Sequence, residues 1–172
     1  MKHIPVMTDE VIKYLNMKRS GTYIDCTFGG GGHSMEMLKN LPCGGKLLLL
    51  DLDPNGEAIF QKNFLSNQIN NRENDNVKFV CKNFADLALI VKENNIKNID
   101  GVLFDLGFSS LQIENKNRGF SFNFDSPLDM RYSVHNPLTA DKIINTFSVH
   151  ELAKIFSDFA EEQFAEKIAK AI

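Results

Sequence analysis

Four consecutive glycines, Gly29-Gly30-Gly31-Gly32, run into His33 directly after a short apolar segment, Thr22-Tyr23-Ile24-Asp25-Cys26. A second apolar run, Lys46-Leu47-Leu48-Leu49-Leu50, ends in the acids Asp51 and Asp53, with Pro54 behind them. Glycine without a Cβ lets a ligand touch the backbone, and a helix that starts there points its free N–H groups at negative charge. A carboxylate about twenty residues further on, at the tip of the next strand, suits the two hydroxyls of a ribose. Together these residues predict a ligand with an adenosine half and a charged tail. The glycines lack a following Lys-Ser or Lys-Thr pair, so a phosphate-clasping P-loop is not expected.

Other groups converge on the same edge. Asp51 is the expected ribose acceptor, because a carboxylate takes two hydrogen bonds at once. Asp53 is its rival, but its place before Pro54 fits a helix cap. Phe84 follows the third apolar run and reads equally as an adenine platform or a core side chain. Asp105 closes the fourth run at the carboxyl edge, where open α/β sheets place their ligands; its plainer reading is a cap for the turn at Gly107. His33 reads first as a helix-start residue and second as a proton carrier.

These residues need a scaffold. A helix is expected from Thr8, as its cap, to Asn16, and another from the glycines to Pro42. Strands are expected at 22–26, 46–50, 77–81 and 99–104. The unbroken apolarity of Leu47 to Leu50 suits a parallel strand covered on both faces. Four strand–helix alternations predict a parallel sheet with right-handed crossovers. An Asn-rich loop is expected at 66–76. From Ser109 to Pro137 the regular period disappears; helices then follow, capped by Thr139 and by a Ser148/Glu151 capping box, and a last helix carries Phe164, Ala165, Ile168, Ala169 and Ile172 on one stripe. In the irregular stretch, Arg118-Gly119-Phe120-Ser121-Phe122-Asn123-Phe124 reads equally as a base-stacking surface with Arg118 on a phosphate or as packing. Asp129 and Arg131 are expected to pair.

Of the 172 residues, 43% are hydrophobic and 24% charged, as in ordinary globular proteins. The net charge of -3 and a pI near 5.8 are not those of a strongly basic nucleic-acid binder. No apolar run reaches the ~20 residues of a membrane span, and the start leaves no room for a signal peptide, so the cytoplasm is the expected compartment. Cys26, Cys43 and Cys81 form no ligand pattern and are expected to be buried thiols.

The chain resembles the small-subunit ribosomal RNA methyltransferase H family, also called MraW. The likeness is carried by His3-Ile4-Pro5-Val6, Thr27-Phe28-Gly29 with Gly31-Gly32-His33-Ser34, Asp51 with Asp53-Pro54, Asn83-Phe84-Ala85 and Asp105-Leu106-Gly107. Arg118-Gly119-Phe120-Ser121-Phe122 and Pro127-Leu128-Asp129-Met130-Arg131 are its more specific blocks. Ser126 and Leu111 depart from it, standing where the family usually has Gly and Pro. The resemblance implies a Rossmann-like α/β methyltransferase fold, with residues 1–109 forming part of the cofactor domain and 110–172 the start of a helical insertion after the fourth strand. It implies S-adenosylmethionine as cofactor and N4-methylation of a cytidine in the decoding region of 16S rRNA. Cofactor contacts are carried over to Gly31, Gly32, His33, Asp51, Phe84, Asp105 and Gln112, and Asp105 is the candidate catalytic group. The implied partner is 16S rRNA in the small ribosomal subunit, with a homodimer allowed and neither membrane nor metal expected. The family runs on for well over a hundred residues, so the chain is expected to be an N-terminal part. Two other classes stay open: a non-catalytic 30S-binding fragment and a nicotinamide oxidoreductase.

Overall fold

A computed structural model describes residues 5–65 and 76–172. The Asn-rich loop, apart from Asn76, and the His3-Ile4 motif lie outside them. The chain divides into two compact units, 1–111 and 112–172.

The first unit is an α/β layer structure. In chain order it holds α1 (Thr8–Leu15), β1 (Thr22–Asp25), α2 (Gly32–Asn40), β2 (Lys46–Asp51), α3 (Asn55–Phe60), β3 (Val77–Cys81), α4 (Leu87–Glu93) and β4 (Gly101–Leu103). Its four strands are all parallel, in the order β3-β2-β1-β4. That order is the first part of the doubly wound 3-2-1-4-5-6 arrangement, with the chain reversal beside β1 where such sheets take ligands.

The apolar run of β2 explains how the layers form. Successive side chains point to opposite faces, so Leu47 and Leu49 enter one core and Leu48 and Leu50 the other. The first core gathers Tyr23, Phe28, Met37, Leu41, Phe60, Phe64 and Phe79 under α2 and α3. Phe28 meets the edge of Phe79 at 5.3 Å, and Phe60 stacks on Phe64 at 5.5 Å. The second core is smaller: Ile24, Cys26 and Ile90 of α4. Each fully buried Leu contributes about 1.5–3 kcal/mol, so β1 and β2 anchor the sheet.

Sequence expectations are corrected in several places. Thr8 does not cap α1; its hydroxyl donates to the Pro5 carbonyl at 2.9 Å, and the helix starts from Met7 in a left-handed conformation. The fourth strand is Gly101–Leu103 rather than 99–104. Only Cys26 is a buried thiol, whereas Cys43 and Cys81 are exposed.

The second unit opens on the last residues of α5 (Ser110–Glu114) and contains α6 (Ala140–Thr146), α7 (Val149–Ala160) and α8 (Ala165–Ala171). Thr139 caps α6 through the Lys142 amide, and the Ser148/Glu151 capping box is present on α7. Of the predicted stripe on α8, Ala165 and Ala169 are buried, while Phe164 and Ile172 are more than half exposed. Arg131 clasps Asp129 at 2.6 Å and donates to the Val134 and Asn136 carbonyls. Arg118 is buried and donates to the carbonyls of Arg131 and Tyr132 at 2.6 and 2.9 Å, which makes it a loop organiser rather than a phosphate ligand. Phe122 of the same motif is 99% exposed.

Candidate functional site

The carboxyl ends of β1, β2 and β4 build the site. β1 is clamped on both sides beyond its last residue: Cys26 N–H donates to Leu103 at 2.9 Å, and Phe28 N–H to Leu50 at 2.9 Å. The chain then turns through the glycines. Gly29 and Gly31 have φ of 51° and 77°, left-handed values at which a Cβ is strained. Gly31 N–H closes the turn on Phe28 at 2.7 Å, and α2 begins at Gly32.

Asp51 holds this loop. One carboxylate oxygen accepts the Gly29 N–H at 2.6 Å, the other the Asp53 N–H at 2.8 Å. The Leu52 amide adds a third interaction, and a carboxylate's roughly four acceptor sites still leave room for an outside donor. Burial pushes the Asp51 carboxyl up from its ordinary value, opposed by the amides of Asp53 and Gly29. Asp53 is buried and accepts from the Asn55 backbone and side-chain N–H groups at 3.0 and 2.9 Å. The expected Asp53 cap is corrected: α3 starts at Asn55 with Pro54 as its cap residue, and Asp53 closes the turn one residue earlier. Cys81 pairs in register with Asp51, and burial followed by the negative charge of Asp51 raises its thiol.

A closed ring of polar contacts lies beneath. Asp25, 1% exposed, accepts the Ser34 hydroxyl at 2.5 Å and the Thr27 N–H at 3.0 Å. The Thr27 hydroxyl accepts the Asp105 N–H at 2.8 Å. His33, next to Ser34, places Nδ1 3.6 Å from an Asp105 oxygen and Nε2 2.7 Å from the Val6 carbonyl. Burial raises the Asp25 carboxyl, and the Ser34 hydroxyl is the largest opposing influence. Burial, followed by the charge of Asp25, pushes the neighbouring Cys26 thiol up to about 12. Sequence reasoning gave no role to Asp25, Thr27 or Ser34. The available signal was an acid inside a buried strand, which requires nearby donors.

The predicted residues occupy separate neighbourhoods. Gly31 and Asp51 sit at the tips of β1 and β2. Phe84 leads into α4, is 40% exposed, and meets the Phe104 ring edge-on at 5.5 Å. His33 and Asp105 face a cavity of about 460 Å³ between α1 and β4, whose apolar wall includes Met7, Tyr14, Val102 and Phe104. Gln112 is buried in the second unit. Among the described residues, no three His, Cys, Asp or Glu side chains group as metal ligands, and no helix is long and apolar enough to cross a membrane.

Comparison with known proteins adds to this geometry. The model of the MraW methylase family matches residues 1–172. The ribosomal RNA small subunit methyltransferase H of Mycoplasma mycoides is 44% identical over 171 residues, covering 99% of this chain and 54% of the relative. Those of Spiroplasma kunkelii and Clostridium botulinum (strain Kyoto) are 42% and 40% identical over the same length, each covered to 53%. The chain thus spans about half the length of the curated relatives it matches.

Proposed function

The chain belongs to the MraW methylase family, and from that premise we propose that it carries the cofactor half of an S-adenosylmethionine-dependent enzyme that methylates the N4 amine of a cytidine in 16S rRNA. The observation that supports this most is the Asp51–Gly29 contact, which sets an acceptor for ribose hydroxyls against a bare backbone loop. The residues present fit such a ligand: two left-handed glycines bring backbone to the surface, and the partly buried carboxylate, held by three amides, has acceptor capacity left for a further donor. Gly31, Gly32 and His33 would hold the charged tail at the start of α2, Asp51 the ribose, and Phe84 the adenine. Gln112 is a further contact that the family resemblance implies. When bound, the cofactor supplies a methyl group already activated on a positively charged sulfur.

The protein's share is then positioning. The exocyclic amine of cytosine is a weak nucleophile because its lone pair feeds the ring. Asp105, half exposed and fixed through its backbone to Thr27, would accept one amine N–H and so aim that lone pair. The base leaves any stack to reach such a group. Holding the reactants in line supplies the larger part of the acceleration, since the transfer disperses charge rather than building it.

The test is calorimetry of S-adenosylmethionine and of NADH on this chain, beside labelled-methyl transfer to 30S particles by this chain and by a form extended to the relatives' length. Binding of S-adenosylmethionine alone, with transfer by the extended form, is expected. Asp51→Ala should weaken binding at least about tenfold, the worth of one or two hydrogen bonds to a charged group. NADH binding would point to an oxidoreductase, and 30S binding without transfer by either form to a non-catalytic partner of the ribosome.

A further inference from the structure

Resting on the proposed methylation, the geometry points to a proton-accepting pair: Asp105 takes the proton that the N4 amine sheds, and His33 shares it as a positioning residue behind Asp105. The Val6 carbonyl sets the tautomer of His33. A carbonyl can only accept, so the 2.7 Å contact requires that His33 Nε2 carry its hydrogen. In the neutral ring Nδ1 is then a bare lone pair, and it faces a carboxylate oxygen at 3.6 Å. At 3.6 Å the two groups lie beyond hydrogen-bond length but within ion-pair range, so a proton taken up on Nδ1 has the carboxylate as its counter-charge.

The gap is set by structure on every side. His33 is 8% exposed and sits in the first turn of α2. The Ser34–Asp25–Thr27–Asp105 chain fixes the distance from α2 to the end of β4. Pro5, whose carbonyl receives Thr8, packs on Gly32 so closely that a Cβ there would lie 3.0 Å from its Cγ. That contact holds the Val6 carbonyl over the ring. The atoms balance. The amine nitrogen forms a bond to the methyl carbon as the carbon–sulfur bond breaks, and the electron pair of that bond stays on sulfur. The nitrogen, now positive, loses one proton to Asp105, where His33 Nδ1 shares it.

Glu10 and Asp100 line the same cavity, and Asp25 lies beneath on β1, so the test must resolve His33 itself. Long-range ¹H–¹⁵N spectra of this chain should show neutral His33 as the Nε2–H tautomer, with its Nδ1 resonance altered in Asp105→Asn. An Nδ1–H tautomer, or a ring blind to Asp105, overturns the proposal. In the form extended to the relatives' length and at saturating cofactor, since His33 also stands among the proposed tail contacts, His33→Gln should lower kcat about 100-fold and change its pH profile. His33→Ala should regain rate when imidazole is added, since the adjacent cavity has room for it. An active parent whose His33→Gln variant keeps kcat and pH profile refutes the pair. A parent that transfers no methyl group to 30S particles refutes the methylation reading instead, and the inference falls with it.

Discussion

Alanine at Gly31 and alanine at Gly30 should behave oppositely, although the two positions are adjacent. At Gly31 φ is 77°, and a Cβ would lie 3.0 Å from two carbons of the Phe28 ring and 3.3 Å from Phe64. The left-handed conformation costs a residue with a Cβ about 1–2 kcal/mol. Phe28 and Phe64 are buried, so the rings have little room to retreat, and overpacking of that kind adds about 1–3 kcal/mol. The sum is a loss of about 2–5 kcal/mol. At Gly30 the backbone is not left-handed, and the nearest atom to a Cβ is Leu111 Cδ1 at an ordinary 3.7 Å. Alanine there restricts the unfolded chain and should stabilise by about 0.4–1 kcal/mol. With a urea slope of about 2 kcal/mol per molar, the two midpoints should differ by about 1–3 M. Urea unfolding of this chain, followed by circular dichroism, reads that difference. Coincident midpoints would refute the account of the loop as a turn held against the Phe28 core.

Ser34→Ala removes a donor from buried Asp25 and should cost about 1–3 kcal/mol near neutral pH. Burial raises the Asp25 carboxyl, so its contribution is fully present below the ordinary carboxylate range and is lost as pH rises through the raised value. Without Ser34 that value climbs further, so melting curves should separate parent and variant more at pH 8 than at pH 4; a constant gap would contradict this. Cys81, whose thiol is raised by burial and then by the charge of Asp51, should be alkylated faster in Asp51→Asn, with exposed Cys43 as the internal reference. Peptide mass spectrometry after brief iodoacetamide treatment gives both rates. Ser148→Ala removes the cap of α7 and should lower stability by about 1 kcal/mol, read by thermal denaturation.

The sheet was legible because its signals are local and redundant. Leu47 to Leu50 read as a strand buried on both faces, and the two cores divide those leucines in alternation. Asp53 was expected to cap α3 from its neighbour Pro54, but the helix starts one residue later and Asp53 closes the turn before it. Asp51 was readable as an acid at a strand tip, but its bond to Gly29 spans 22 residues and has no local mark. The same limit hid the ring through Asp25, Thr27 and Asp105, which closes across 78 residues. Arg118 gave equal weight to two readings because a guanidinium suits a phosphate as well as a carbonyl. Its partners, Arg131 and Tyr132, are chosen by a loop without periodicity. Thr8 misled because a threonine before acids signals a cap, yet its hydroxyl turned back to Pro5.

The left-handed backbone at Gly29 and Gly31 has a consequence for how this protein can change. The ribosome supplies only L-residues, so the loop is in effect a stretch of alternating handedness written with the one achiral residue available. The ligand contacts proposed for it would therefore be closed to tuning by side-chain replacement. Adjustment would fall to the neighbours that hold the loop in place, Asp51 at one end and Phe28 beneath.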